Sequence, residues 1–250
     1  MSENYINLTL ENLDEEHLCC AIGDKKHQDG VTCKKKWLRE RIPEGHVFRK
    51  LDAKGKVFIE YAPLETAWVP VEGDNYMFIY CFWVSGSFKG KNHGKDLLEY
   101  CINDAKQKRK SGVCALSSKK KKPFLSDPKF LKKYGFETAD QIGDYELMAL
   151  SFDGSKPSFV NIAKAGEIDS SDLAIYYSNQ CPFINNSIGQ IREYCDSAGI
   201  KIDFIEVDTL KKAKELPQPF NNWAAFKDGE FVTNHIMNES YFKKMILGGK

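Results

Sequence analysis

The stretch FWVSGSFKGKNHGKDLLEYC, Phe82 to Cys101, passes from an aromatic strand pattern through a loop of glycines and lysines into a helix pattern. The first four N–H groups of a helix lack internal partners, so a loop that turns its own amides toward them forms a socket for an anion. Gly90 and Gly94 permit close approach and positive φ, and Asn92 tolerates the left-handed region. Lys89, Lys91 and Lys95 add charge, and His93 is either a phosphate contact or a merely solvated side chain. These residue types suit a pyrophosphate held chiefly by backbone amides; the competing reading is a basic turn between strand and helix. The loop has no GK[ST] of a nucleoside-triphosphate site. The strand before it belongs to an antiparallel-looking set, not to a βαβ unit with an acidic ribose partner, which disfavours a dinucleotide fold.

A second reactive position is Cys181 in YYSNQCPF. It lies after a strand and before a helix, where amides and dipole favour the thiolate. Ile184 stands where a Cys-x-x-Cys partner would be, and Cys195 is too far along the helix to substitute. The alternative is a small buried residue at a tight turn. The eight cysteines (19, 20, 33, 81, 101, 114, 181, 195) show no paired zinc-ligand spacing, so no metal is expected, and in a reducing compartment most read as buried thiols.

At 250 residues the chain has room for two domains. Lys plus Arg (36) balances Asp plus Glu (35), which leaves no global field for nucleic acid or a membrane surface. With no signal-peptide order at the start and no long apolar run, a soluble, cytoplasmic protein is expected, with neither nucleic-acid nor membrane partners. Leu13 to Arg41 reads as two short helices interrupted at Gly30. HVFRKLD, VFIEYAPLETAWVPVE and the central, buried YMFIYCFWV read as strands. The helix after the glycine loop places Leu97, Leu98, Cys101, Ile102 and Ala105 on one face. VCALSS follows as a strand, then a short helix with Asp127 as cap and Pro128 in its first turn, then the closing strand YELMALSF. Composition shifts between residues 153 and 171. Beyond it come LAIYYS, a helix to about Ala198, IDFIEVD, a hairpin with Asp228-Gly229 at its tip, and a helix capped by Asn238.

This order of strands, glycine loop, long helix, strand, short helix and closing strand resembles the GNAT family of acetyl-coenzyme A-dependent N-acetyltransferases. The family signature, Arg or Gln, two residues, Gly, one residue, then Gly or Ala, falls on Lys89 to Gly94. Lys89 replaces Arg or Gln, Asn92 replaces the first Gly, and Gly94 matches; FLKKYGFE resembles the family's FYxKxGFE. The tail, with EYAPLETAWVPVEG and YYSNQCPF, resembles the YoaP-like C-terminal domain of some acetyltransferases, in a thioredoxin-like arrangement. The expected fold is α/β (α+β): a mixed, mostly antiparallel GNAT sheet flanked by helices over residues 1–152, a linker over 153–171, and a small βαβ-ββα domain over 172–250.

The resemblance implies acetyl-coenzyme A as co-substrate, with its pyrophosphate on residues 89 to 94 and its thioester beside Phe82, Trp83 and Val84, whose amides would polarise the carbonyl. Lys119 to Lys122 are candidates to meet the 3′-phosphate end, or else simply an exposed charged loop. The family's usual acid position holds Leu131, so Tyr134 is the candidate acid and apolar packing its alternative. Among Glu60, Glu65 and Glu72, Glu60 is the preferred base, weighed against an ordinary strand-face glutamate. Tyr61 and Trp68 are candidates to line the acceptor pocket, or else core. The expected activity is acetyl transfer to a primary amine of a small molecule or peptide by direct attack. The alternative is a thiol-dependent binding or redox module at Cys181 on a coenzyme-binding scaffold with little turnover.

Overall fold

A computed structural model describes residues 4–18, 21–120, 122–169, 172–220 and 222–248. In chain order its elements are β1 (Tyr5–Asn7), α1 (Gln28–Arg41), β2 (Val47–Leu51), β3 (Val57–Pro63), β4 (Val71–Glu72), β5 (Tyr76–Val84) and α2 (His93–Gln107). There follow β6 (Gly112–Ser118), α3 (Pro128–Lys133), β7 (Glu137–Ile142), β8 (Tyr145–Ser151), β9 (Ser158–Phe159) and β10 (Leu173–Tyr177). The chain ends with α4 (Phe183–Ala198), β11 (Ile202–Glu206), α5 (Leu210–Lys214), β12 (Trp223–Lys227), β13 (Glu230–Thr233) and α6 (Glu239–Ile246). None of the described helices is long and apolar enough to cross a membrane.

The chain divides into two compact units. The first comprises Met1–Ile22, Leu38–Ala67 and Val71–Phe159; the second comprises Gly23–Trp37, Trp68–Pro70 and Val160–Lys250. Most of α1 therefore groups with the C-terminal residues, whereas the sequence suggested a boundary near residue 152.

The first unit is built on a seven-stranded sheet in the order β1-β2-β3-β5-β6-β8-β7. The β5 and β6 strands are parallel and every other pair is antiparallel. One face packs on α2, where Leu97, Leu98, Cys101 and Ala105 meet Val57, Ile59, Tyr61, Met77, Ile79, Val113 and Ala115. These helix residues recur at three- and four-residue intervals, which is why a helix here buries one stripe. Asp127 caps α3, its Oδ1 accepting from the amides of Lys129 and Phe130, with Pro128 in the first turn.

The second unit holds a four-stranded sheet, β11-β10-β12-β13. β10 and β11 are parallel across α4, and β12 and β13 form the hairpin. Asp228 and Gly229 both have positive φ (53° and 83°) at its tip, as a tight two-residue turn requires. Asn238 caps α6 through the Tyr241 amide.

Four segments differ from the sequence reading. Residues 10–16 form turns instead of a helix, and Gly30 lies within α1 instead of dividing it. Strand β7, ETADQI, has no buried residue, so its apolar period is missing; it is held as an edge strand by β8. Helix α5 is too short to show a periodicity of its own.

Candidate active site

The loop from Ser85 to Asn92 begins with a 3₁₀ turn at Gly86–Phe88 and ends at α2. Gly90 has φ +80° and Asn92, the N-cap of α2, has φ +63°. No side chain caps that end of α2, so its first amides remain available to a ligand. Lys89 and Lys91 are exposed, as are Gly90 and Asn92, and Lys95 pairs loosely with Glu99 at 3.7 Å. A 15-residue helix thus presents its positive end beside a solvent-facing basic loop.

The neighbouring strands separate at this end of the sheet. β5 and β6 pair from Tyr76↔Gly112 only as far as Ile79↔Ala115, although β5 continues to Val84 and β6 to Ser118. Across the other edge, Glu60 is opposite Cys81 and Tyr61 is opposite Ile79, so Tyr80 is an extra residue in a β-bulge. The bulge and the loss of pairing coincide. Beyond Ile79 the β6-facing edge of β5 carries backbone groups that no strand partner among the described residues uses, the requirement for stabilising a developing oxyanion.

The bulge also reassigns side chains. Phe82 and Val84 pack toward the α2 core, with the Phe82 ring 5.2 Å from that of Phe130, whereas Trp83 is 47% exposed. Glu60 is buried, 2% exposed, and lies 3.0 Å from Nε2 of the equally buried His46. The His46 ring is 5.2 Å from that of Tyr80, the bulged residue. Glu60 is therefore not a solvated strand-face carboxylate, and His46 is a partner that sequence spacing does not reveal: it comes from the residue before β2. Glu65 is exposed and pairs with Lys110 at 3.1 Å, and exposed Glu72 accepts from Ser158 at 3.4 Å; both ride outside the splayed strands.

Several expected positions are corrected. Tyr61 is fully buried and donates to Asp104 Oδ2 at 2.9 Å. Burial, reinforced by Cys101 and Asp104, pushes its phenol far above the ordinary range, so it is a core residue and cannot line a pocket. Trp68 is also buried and packs edge-to-face on Trp37 in the second unit, 6.0 Å between rings. The His93 side chain is buried, with Nδ1 2.7 Å from the Tyr5 hydroxyl. It ties β1 to the start of α2, leaving only its backbone for an anion. Tyr134 ends α3, half-buried, with its ring 4.9 Å from Phe130, and Leu131 is core. Of the basic run, Lys119 and Lys120 are exposed and Lys122 pairs with Asp144 at 3.6 Å; Lys121 lies outside the described residues.

In the second unit Cys181 is half-buried immediately before α4, whose N-cap is Pro182, and no side chain caps that helix. The six described cysteines are thiols; Cys101, Cys114 and Cys195 are buried and Cys33, Cys81 and Cys181 partly so. Burial pushes the Cys101 and Cys195 thiols up, which makes them inert. Cys19 and Cys20 lie outside the described residues.

Residues 10–136 match the model of the acetyltransferase (GNAT) family, and residues 202–244 match a YoaP-like model. A curated protein of Bacillus subtilis (strain 168), described as an uncharacterized N-acetyltransferase YoaP, is 39% identical over 245 residues, 97% of this chain and 98% of that protein. Among solved structures, the PaiA N-acetyltransferase of Thermoplasma acidophilum in complex with coenzyme A is 16% identical, covering 61% of this chain and 100% of its own at a TM-score of 0.43. A GNAT acetyltransferase of Brucella melitensis in complex with acetyl-CoA is 13% identical, covering 62% and 92% at 0.42.

Proposed function

On the premise that this chain belongs to the GNAT family of acetyltransferases and carries a YoaP-like C-terminal segment, we propose that it moves acetyl from acetyl-coenzyme A to a primary amine by direct attack. The observation that carries the reading is the opening of β5 from β6 after Ile79, at the Tyr80 bulge, beside the uncapped start of α2. The pyrophosphate rests on the amides of residues 89 to 94, with Lys89, Lys91 and Lys95 adding charge. The pantetheine arm enters the gap between β5 and β6. Backbone N–H groups between Tyr80 and Val84 receive the thioester oxygen as it gains charge.

The amine nitrogen attacks the carbonyl carbon, the new C–N bond forms and the C–S bond breaks. The amine proton passes to the His46–Glu60 pair. His46 takes it and the Glu60 carboxylate, 3.0 Å away, orients the ring and stabilises its charged form. Tyr134 returns a proton to the leaving thiolate. The acceptor is a small molecule or a peptide amine, entering on the side of exposed Trp83.

The test is calorimetric titration with acetyl-coenzyme A, followed by a panel of amines monitored for release of free coenzyme thiol. Binding with amine-dependent release is expected. Absence of binding would remove the 89–94 loop from the proposal, and binding without release for any amine would reduce the protein to a coenzyme-binding scaffold.

A further inference from the structure

Cys181 has no cysteine at the third position after it, but within the second unit another cysteine, from a distant part of the chain, stands against the helix that follows it. Gly30, Cys33 and Lys34, at three- and four-residue spacing from Gly30, share a face at the start of α1, and His27 ends the 3₁₀ turn just before it. Every one of them meets the segment that carries Cys181. The His27 ring lies 4.5 Å from Phe183. A Cβ on residue 30 would stand 1.9 Å from the Pro182 carbonyl oxygen, so only glycine allows this approach. The Lys34 ammonium is buried, 2% exposed, and donates to the Gln180 carbonyl at 2.5 Å.

Cys33 sits between these contacts. Asn185 Nδ2, in the first turn of α4, is 3.7 Å from its sulfur. Burial, then the Glu206 carboxylate, with a smaller share from Cys33, holds the Tyr177 phenol above its ordinary range. Cys33 is thus in contact with Asn185, in the helix turn that follows the loop holding Cys181, and lies within electrostatic reach of Tyr177 at the end of β10, before that loop. Both sulfurs belong to half-buried residues. Among the described residues, Ser178 Oγ and Gln180 Nε2 in this loop are buried without a hydrogen-bond partner, while its backbone is held by the Asn222 carbonyl at the Ser178 amide and by Lys34 at the Gln180 carbonyl.

We propose that Cys33 and Cys181 form a thiol–disulfide exchange site, in which the absent Cys-x-x-Cys partner is supplied by α1. The Cys181 thiolate attacks a low-molecular-weight disulfide, forming a mixed disulfide and expelling one thiol. The Cys33 thiolate then attacks the Cys181 sulfur, closing the intramolecular disulfide and expelling the second thiol. One external disulfide is reduced to two thiols as two protein thiols are oxidised.

The experiment uses the full chain and oxidised glutathione, with the disulfides mapped by mass spectrometry of proteolytic peptides under non-reducing conditions. The expected product is a cross-link between the Cys33 and Cys181 peptides, with two reduced glutathione molecules released per closed site. Cys33→Ser should stop at the first step and retain glutathione on Cys181. Cys181→Ser should abolish both products. Gly30→Ala should lift α1 from the loop and lower the ratio of cross-link to mixed disulfide at least tenfold. Acetyl transfer by reduced Cys33→Ser, expected to equal that of the unmodified chain, checks folding; the peptide map stands even if no acceptor amine is known. The proposal is overturned if the unmodified chain accumulates glutathione on Cys181 without linking to Cys33. It is equally overturned if Cys181 links elsewhere or stays unmodified, or if Gly30→Ala closes as readily as glycine.

Discussion

Glu60 shows how burial changes what one carboxylate can do. In the open it would exchange protons with water; at 2% exposure and 3.0 Å from His46 it is held against a buried imidazole, through which the proposed proton transfer would run. Glu60→Gln keeps the shape and a hydrogen bond to the ring but removes the charge that steadies a protonated imidazole. It should lower kcat/KM roughly 10²-fold, at the low end of general acid–base contributions, with acetyl-coenzyme A affinity unchanged. Steady-state kinetics beside calorimetry separates the two. An unchanged kcat/KM would exclude the pair from proton transfer. Tyr61 predicts the opposite pattern: Tyr61→Phe loses the bond to Asp104 and should cost about 1 kcal/mol in urea unfolding, with acetyl transfer intact. The two adjacent residues point to opposite faces of β3. Residue type alone made both candidates; only the register showed one near the opening and the other in the core.

At the scale of elements, the loop and α2 were plainly written in the chain. Gly90, Asn92 and the apolar stripe from Leu97 to Ala105 are local signals, since backbone sterics and helix period act over a few residues. The consequence of changing Gly94 is less local. A Cβ there would meet Phe130 at 3.4 Å and Phe82 at 3.7 Å, ordinary contact for one methyl group. Gly94→Ala should therefore bind acetyl-coenzyme A nearly as well as glycine. Gly94→Val adds two methyl groups against Phe130 and should weaken binding at least tenfold while circular dichroism stays unchanged; equal titration curves for all three would detach this position from the coenzyme site. β7 was missed because an exposed edge strand needs no apolar alternation; its existence rests on pairing with β8.

Across the whole molecule, two histidines make stability depend on mild acid. Burial, then the Lys50 charge, lowers the His17 pKa below its ordinary 6.5, and burial lowers that of His235. Below pH 6.5 the unfolded chain takes up protons that the folded chain resists. Their stabilising contribution is full above that pH and is lost as pH falls through 6.5 toward the folded values. The melting temperature should drop between pH 7.5 and 5.5, and the drop should shrink in His17→Asn/His235→Asn; an identical pH slope in that variant would assign the effect to other groups. From composition and spacing alone one can read two folded parts, the order of strands, glycine loop and helices in the first of them, the caps at Asp127 and Asn238, and the position of Cys181 between strand and helix. Each is a short-range matter of dihedral preference, hydrogen-bond reach or periodicity. The meeting of His46 with Glu60, the burial of Tyr61 and His93, the grouping of Trp68 with Trp37, and the approach of Gly30, Cys33 and Lys34 to the Cys181 loop follow instead from register and packing. A single extra residue at Tyr80 changes which side chains face the core, and a contact between residues 33 and 185 exists only after helices far apart in the chain have packed.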